Sequence, residues 1–152
     1  MNILLKAAIL SFLPISELRG GIPLALSFKV NIFSAFLVCV IANLLVIPFV
    51  FFFMDYFHKY FMRIRFYESF FNRYIERNRR KIENKIGTKW EFWSLMIFTL
   101  VPAPFTGAWS ASILAWFFNV KRRRAYLAIA LGVIGAGIIV SLATLRIIKI
   151  LF

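Results

Sequence analysis

The chain reads Leu13-Pro-Ile-Ser-Glu-Leu-Arg-Gly-Gly-Ile-Pro23 in the middle of an N-terminal stretch that is otherwise apolar. Glu17 and Arg19 place opposite charges in surroundings apolar enough to lie in lipid. Ionisable groups at that depth cost free energy, so they usually face a polar cavity or a partner and mark a transport pathway. Proline and glycine at the same place interrupt the helix that the flanking residues favour. The stretch therefore predicts a membrane protein whose first apolar segment is broken at a functional point.

The composition excludes most soluble classes of protein. Of the 152 residues, 62% are hydrophobic and 18% aromatic, more than a soluble domain of this size could cover. The net charge is +13, and the basic residues flank apolar runs. This placement fits contact with anionic lipid headgroups better than with nucleic acid, so we expect no nucleic-acid partner. With one cysteine, Cys39, and one histidine, His58, the chain offers no metal site, and it carries no nucleophile–base pair or cofactor motif. We expect no metal, no cofactor and no enzyme.

Two segments are predicted to span the membrane. Residues 30–54 carry no charge and would measure about 37 Å as a helix, enough to cross a bilayer with tilt. Residues 125–150 form the second span, and Gly132, Gly135 and Gly137 give it a thin face for close helix contact. Because two spans and two hairpins enclose little volume, we expect a homo-oligomer, most simply a dimer, with this face as a candidate contact.

Two further apolar segments, 3–28 and 92–118, are interrupted by proline-containing tips. Each half has roughly ten to thirteen residues and reaches about 15–20 Å, which is the midplane of a bilayer. Non-helical backbone at that depth survives only inside protein or beside a cavity. Both segments are therefore predicted to be re-entrant hairpins. Hydropathy alone leaves two kinked spanning helices as an alternative.

The charges favour the re-entrant interpretation of 92–118. Segment 55–91 carries ten lysines and arginines, and Lys121–Arg124 is also basic. If 92–118 crossed the membrane, one basic cluster would lie outside, against the positive-inside bias. The first hairpin then enters from the outer face, the second from the cytoplasm, and both termini are outside.

The expected fold is one all-α membrane domain, an inverted repeat of hairpin plus span, in the cytoplasmic membrane. Pro14 and Pro102 are 88 positions apart, and so are Asn31 and Asn119. Segment 55–91 is predicted to be an amphipathic helical linker on the cytoplasmic leaflet. It either anchors the chain and sets topology or recruits anionic lipid.

The first tip carries the strongest candidate site. Glu17 and Arg19 are expected in extended backbone, and Gly20 and Gly21 are expected to open the second half-helix, whose free N–H groups favour an anion. The Arg19 guanidinium suits phosphate or carboxylate, and a carboxylate such as Glu17 can exchange a proton. The alternative is an internal Glu17–Arg19 pair that only fixes the tip.

The second tip offers polar groups without charge. Thr106 is expected to be an N-cap or a hydroxyl ligand, and Gly107 to allow close backbone approach. Trp109 either caps the cavity or packs at an interface. Asn43, in the middle of the first span, is expected to hydrogen-bond to a hairpin rather than to contact substrate.

The strings Ile15-Ser-Glu-Leu-Arg-Gly-Gly-Ile-Pro-Leu-Ala25 and Val101-Pro-Ala-Pro-Phe-Thr-Gly-Ala-Trp-Ser110 resemble the two signature segments of the small multidrug export protein family. That family is similar to the DedA superfamily, also called the VTT or SNARE-associated Golgi protein group. The resemblance implies two facing re-entrant hairpins and transport of a substrate. It also implies a link to lipid carriers such as polyprenyl phosphates or phospholipids, and to protons as coupling ion.

Carried over by position, the resemblance assigns two sets of residues. The first motif takes in Glu17, Arg19, Gly20 and Pro23, and the second takes in Pro102, Pro104, Thr106, Gly107 and Trp109. Phe105 stands where we expect glycine, which narrows the second tip. The arginines of DedA-type second hairpins are missing, so Arg19 alone would hold a lipid phosphate.

Three functions follow as hypotheses. The first is proton-coupled translocation of an anionic lipid headgroup through Glu17 and Arg19. The second is export of small cationic or amphipathic compounds, with Glu17 as counter-charge. The third is a non-transporting membrane assembly factor that acts through its basic linker.

Overall fold

A computed structural model describes residues 2–61, 89–102 and 106–151, and these form helices joined by short turns. Most of the predicted linker, residues 62–88, lies outside the described part, as do Pro104 and Phe105. The helices are α1 (Ile3–Phe12), α2 (Glu17–Ser27), α3 (Ile32–Leu44), α4 (Val46–Phe61), α5 (Lys89–Leu100), α6 (Ala108–Phe117) and α7 (Arg122–Leu151). The expected all-α fold is confirmed for these residues.

Two helical stretches are long and apolar enough to cross a membrane, as expected. They are Ile32–Tyr60, which comprises α3 and α4, and Arg122–Ile150, which is nearly all of α7. The first extends past residue 54, the expected end of the span, because the charge of Asp55 is paired within the protein. A one-residue turn at Leu45 separates α3 from α4, three positions before Pro48, whose ring disturbs the preceding helical turn.

Helices α1 and α2 pack against each other as a hairpin, with the tip at Leu13–Ser16. The tip is shorter than the expected stretch from Pro14 to Pro23, because α2 already begins at Glu17 and contains Pro23. The Ser16 hydroxyl donates to the Leu10 carbonyl at 2.5 Å and closes the turn. Pro23 costs α2 one backbone hydrogen bond, and packing of α2 on α1, α3 and α7 holds the helix together. The expectation that the tip extends to Pro23 was therefore wrong, because the helix already includes residues 17–23.

Helices α5 and α6 contact each other across the second tip. The first half of the chain, α1 to α4, and the second half, α5 to α7, show the same pattern of helix contacts. Helices α1 and α5 each pack against the long helix that follows in the chain, α3 and α7 respectively, whereas α2 contacts α7 and α6 contacts α4. Each hairpin is therefore held partly by the long helix of the other half.

The turns after the two hairpins have the same backbone geometry. The N–H of Val30 donates to the Ala25 carbonyl at 3.2 Å, and ninety positions later the N–H of Val120 donates to the Ala115 carbonyl at 2.9 Å. Lys29 and Asn119, also ninety apart, both have positive φ, at 57° and 53°. The structural counterpart of Asn119 is thus Lys29, and the expected correspondence of Asn119 with Asn31 was wrong.

The glycine face of α7 is covered inside the chain. A Cβ on Gly132 or Gly135 would meet Thr99 or Leu100 of α5, and a Cβ on Gly137 would lie 2.9 Å from the Phe36 ring of α3. Small residues let these backbones approach closely. This face was expected to be a candidate contact for a second copy of the chain. It is not available for that contact, because α5 and α3 cover it.

Candidate functional site

The tips of the two hairpins meet through Glu17. Its side chain is 8% exposed, and its carboxylate accepts a hydrogen bond from the backbone N–H of Trp109 in the first turn of α6. The carboxylate also lies against Gly107, where an added Cβ would overlap it, and Gly107 has a φ of 155° that side chains rarely adopt. The acid of the first hairpin therefore occupies the positive N-terminal end of a half-helix in the second.

Trp109 makes the reciprocal contact. Its indole Nε1 donates to the carbonyl of Phe12, the last residue of α1, at 2.8 Å. The ring packs edge-on against Phe12 at 6.1 Å and Phe49 at 5.8 Å between centroids. Of the two roles considered for Trp109, the structure shows packing at an interface, and the indole adds a second hydrogen bond between the hairpins.

A small cavity of about 20 Å³ lies beside this contact, which is room for one water molecule. Arg19 lines it together with Glu17, and these two are the charged groups among the described lining residues. Pro102, Thr106 and Gly107 contribute the wall from the second tip. The apolar wall comes from Val133, Ala136 and Val140 of α7. The cavity is too small to hold a molecule much larger than water.

Asn43 lines the same cavity from α3 and is 1% exposed. Its Oδ1 accepts no hydrogen bond from any described residue. An unsatisfied acceptor at that depth normally has a partner in another state or an ordered water. The Oδ1 atom therefore does not take part in the hydrogen bond that was expected between Asn43 and a hairpin.

The structure rearranges several of the expected roles. Glu17 and Arg19 lie in the first turn of α2 rather than in extended backbone, so Glu17, and not the glycine pair, opens the half-helix. Gly21 instead allows α1 and α3 to pack closely, because its Cβ would lie 2.5 Å from the Ala7 carbonyl and 3.1 Å from Cys39 Sγ. Gly20 lies beside Ser16, where a Cβ would be 2.7 Å from the Ser16 Cβ.

Thr106 is not the N-cap of α6. Gly107 holds that position, with no side-chain cap. The Thr106 hydroxyl donates to the Val101 carbonyl at 2.7 Å, so it ties the two ends of the second tip together. Pro102 follows α5 and lines the cavity, whereas Pro14 lies exposed in the first tip.

One polar cluster was missed by the sequence analysis, which assigned Asp55 to the linker. Asp55 accepts from Trp116 Nε1 at 2.8 Å and pairs with Arg122 at 2.5 Å, and Arg122 also lies 5.8 Å from the Phe51 ring centroid. The cluster joins the end of α4 to α6 and to the start of α7. The sequence did contain a signal for this cluster, since Asp55 is a lone acid at the end of a long apolar run and Lys121–Arg124 is basic.

Within the described parts of the chain, no group of three or more potential metal ligands comes together. The buried polar groups at the tips are instead suited to holding one proton or one anion.

The chain matches the family model described as "Putative small multi-drug export protein" over residues 17–139. This stretch begins at Glu17, includes the second tip and the first long helix, and ends within α7. It covers more than half of the chain, so the chain belongs to this family. No curated protein and no solved structure matches it. The family description and the two long apolar helices identify a membrane protein of an export family. The relationship to DedA proteins stays a prediction.

Proposed function

We propose that this protein moves an anionic lipid headgroup, such as that of a polyprenyl phosphate or a phospholipid, across the membrane and couples the movement to protons. One observation carries the proposal. The carboxylate of Glu17, from the first hairpin, occupies the N-terminal end of half-helix α6 in the second hairpin. That end is a place where phosphate and other anions bind, so Glu17 stands where a substrate anion would bind.

The charges at the tips give the coupling its direction. While Glu17 is ionised, it compensates both Arg19 and the N-terminal end of α6, and an entering anion has to compete with it. Once Glu17 takes up a proton, its negative charge no longer offsets the charge of Arg19 and the positive N-terminal end of α6. Protonation then favours anion binding, and return of the ionised carboxylate favours anion release.

An inverted repeat would expose this site to each side of the membrane in turn. The matching turns ninety positions apart support such a repeat, as does the way each hairpin contacts the long helix of the other half. We place the protein in the cytoplasmic membrane with lipids as its partners, and we keep a homodimer as the proposed assembly. The contact would use the exposed apolar residues of α7, among them Leu127, Leu131 and Leu142.

Export of small cationic or amphipathic compounds is the second candidate, favoured by the family description. The apolar α7 wall of the cavity would suit an apolar moiety. Against a cation, the Glu17 carboxylate already accepts from Trp109, and Arg19 lines the same space. A cation would meet one engaged acid and one permanent positive charge.

The test uses purified protein in vesicles that contain a fluorescently labelled phosphatidylglycerol, with lipid movement followed by quenching from outside. We expect Arg19→Gln to abolish movement of the labelled lipid and Glu17→Gln to retain it without response to a pH gradient. Arg123→Gln, which changes the net charge equally at the exposed start of α7, is the matched control and should behave as wild type.

Movement by Arg19→Gln at the wild-type rate would contradict the lipid proposal. Efflux of a cationic dye that is lost in Glu17→Gln and kept in Arg19→Gln would establish the second candidate instead.

A further inference from the structure

We infer that Asn43 is the hydrogen-bond acceptor of Glu17 in its protonated state, so that the two side chains form a proton site with two positions. The inference deepens the proposed function, on which its meaning for transport rests. The site itself can be tested without any substrate.

The first step is the unsatisfied amide oxygen. Asn43 Oδ1 is buried in the middle of the first long helix and lacks a donor among the described residues. Leaving such an acceptor unpaired is costly. The other donors that line the cavity are used elsewhere: the Thr106 hydroxyl donates to the Val101 carbonyl, and the Thr99 hydroxyl donates to the Leu95 carbonyl.

The second step is the identity of the missing donor. Arg19 lines the cavity without donating to Asn43 Oδ1. A protonated Glu17 has one O–H to donate, either directly or through the single water that a cavity of about 20 Å³ can hold. Glu17 and Asn43 both line this cavity, which places the donor and the acceptor beside the same small space.

The third step is the exchange between the two positions. With Glu17 ionised, its carboxylate accepts from the Trp109 N–H, and Asn43 Oδ1 is left unpaired. When a proton from water adds to one carboxylate oxygen, the new O–H donates a hydrogen bond to Asn43 Oδ1. The other oxygen is now that of a neutral carboxyl, so the hydrogen bond that it accepts from the Trp109 N–H becomes weaker. An anion can then compete for the Trp109 N–H.

The test compares the thermal unfolding of the detergent-solubilised protein at about pH 5 and about pH 9. Asn43→Leu removes an unpaired acceptor from the ionised state, so it should raise Tm by about 2–4 °C at high pH. In the protonated state the same change leaves the Glu17 O–H unpaired, so it should lower Tm by a similar amount. Arg19 is the one other charged group among the described residues that line this cavity.

Two matched variants serve as controls for this measurement. Ser112 Oγ is also fully buried without a partner, on α6 outside the cavity lining, so Ser112→Ala should shift Tm equally at both pH values. In Glu17→Gln the amide N–H replaces the protonated carboxyl, so adding Asn43→Leu should lower Tm at both pH values.

A Tm shift of the same sign at both pH values in Asn43→Leu would overturn the inference. If that variant does not fold, Asn43→Ala serves with the difference between the two pH values as the readout. The infrared C=O band of protonated Glu17, identified by its loss in Glu17→Gln, should also shift in either Asn43 variant. A Tm sign reversal without any transport would leave the proton site standing and remove the proposed function.

Discussion

The two hairpins share a backbone plan but carry different chemistry. After the tips their residues correspond at a spacing of ninety, as Ala25 and Ala115 do. The link between α5 and α6, residues 101–107, is three residues longer than the link Leu13–Ser16 between α1 and α2. The first tip supplies a buried acid, and the second supplies the N–H groups and the glycine that receive it. The comparison teaches that the tips differ in their chemical groups, while the turns that follow the two hairpins share one backbone conformation.

The largest expected effect concerns the orientation of the hairpins and is an all-or-none result. In a Cys39→Ala background, single cysteines at Asn2 and Ser27 lie at the two open ends of the first hairpin, and cysteines at Trp90 and Asn119 lie at those of the second. If the hairpins enter from opposite faces, an impermeant thiol reagent should label each pair from one side only, and the two pairs from opposite sides. If the two cysteines of one pair are labelled from opposite sides, that segment spans the membrane. The chain would then not contain two comparable hairpins.

The next largest effect concerns the fit between the tips. Gly107→Ala places a Cβ in the space of the Glu17 carboxylate at a φ that alanine rarely adopts, so it should lower the free energy of unfolding by about 1–3 kcal/mol and reduce transport. Denaturant unfolding measures the first effect. In a Glu17→Ala background the same change should cost less, because only the backbone strain remains. An equal cost in both backgrounds would mean that the carboxylate does not lie against Gly107.

The smallest effect concerns the polar cluster of Asp55, Trp116 and Arg122, which contacts the second hairpin but not the first. Asp55→Asn keeps an acceptor for Trp116 Nε1 and removes the ion pair with Arg122, whose side chain is 63% exposed against 42% for Asp55. Exposed pairs contribute little, so the loss should be about 0.2–1 kcal/mol and should shrink at high salt. Arg123→Gln controls for the change in charge. A loss that does not depend on salt would assign the effect to packing.

The sequence was sufficient for features that depend on composition and helix breaking. The long apolar runs predicted two candidate spans, and the prolines predicted interruptions near Pro14 and Pro102. The predicted extent of the first tip, up to Pro23, was wrong, because packing of α2 against three helices outweighs the one hydrogen bond that Pro23 removes. Long-range partners were also beyond local pattern: the tie between Asp55 and Arg122, the contact of Glu17 with Trp109 and the cover over the α7 glycines each join distant positions.

The turn at Leu45 divides the first long helix between the two hairpins. Helix α3 packs with α1 and α2, whereas α4 packs with α6 and is tied to the start of α7 through Asp55. Pro48 has no N–H for the Leu44 carbonyl, which weakens the helix at this joint. A bend at Leu45 would therefore act as a hinge that turns one hairpin relative to the other. This hinge would lie within the first long helix, and Asn43 is two residues from Leu45.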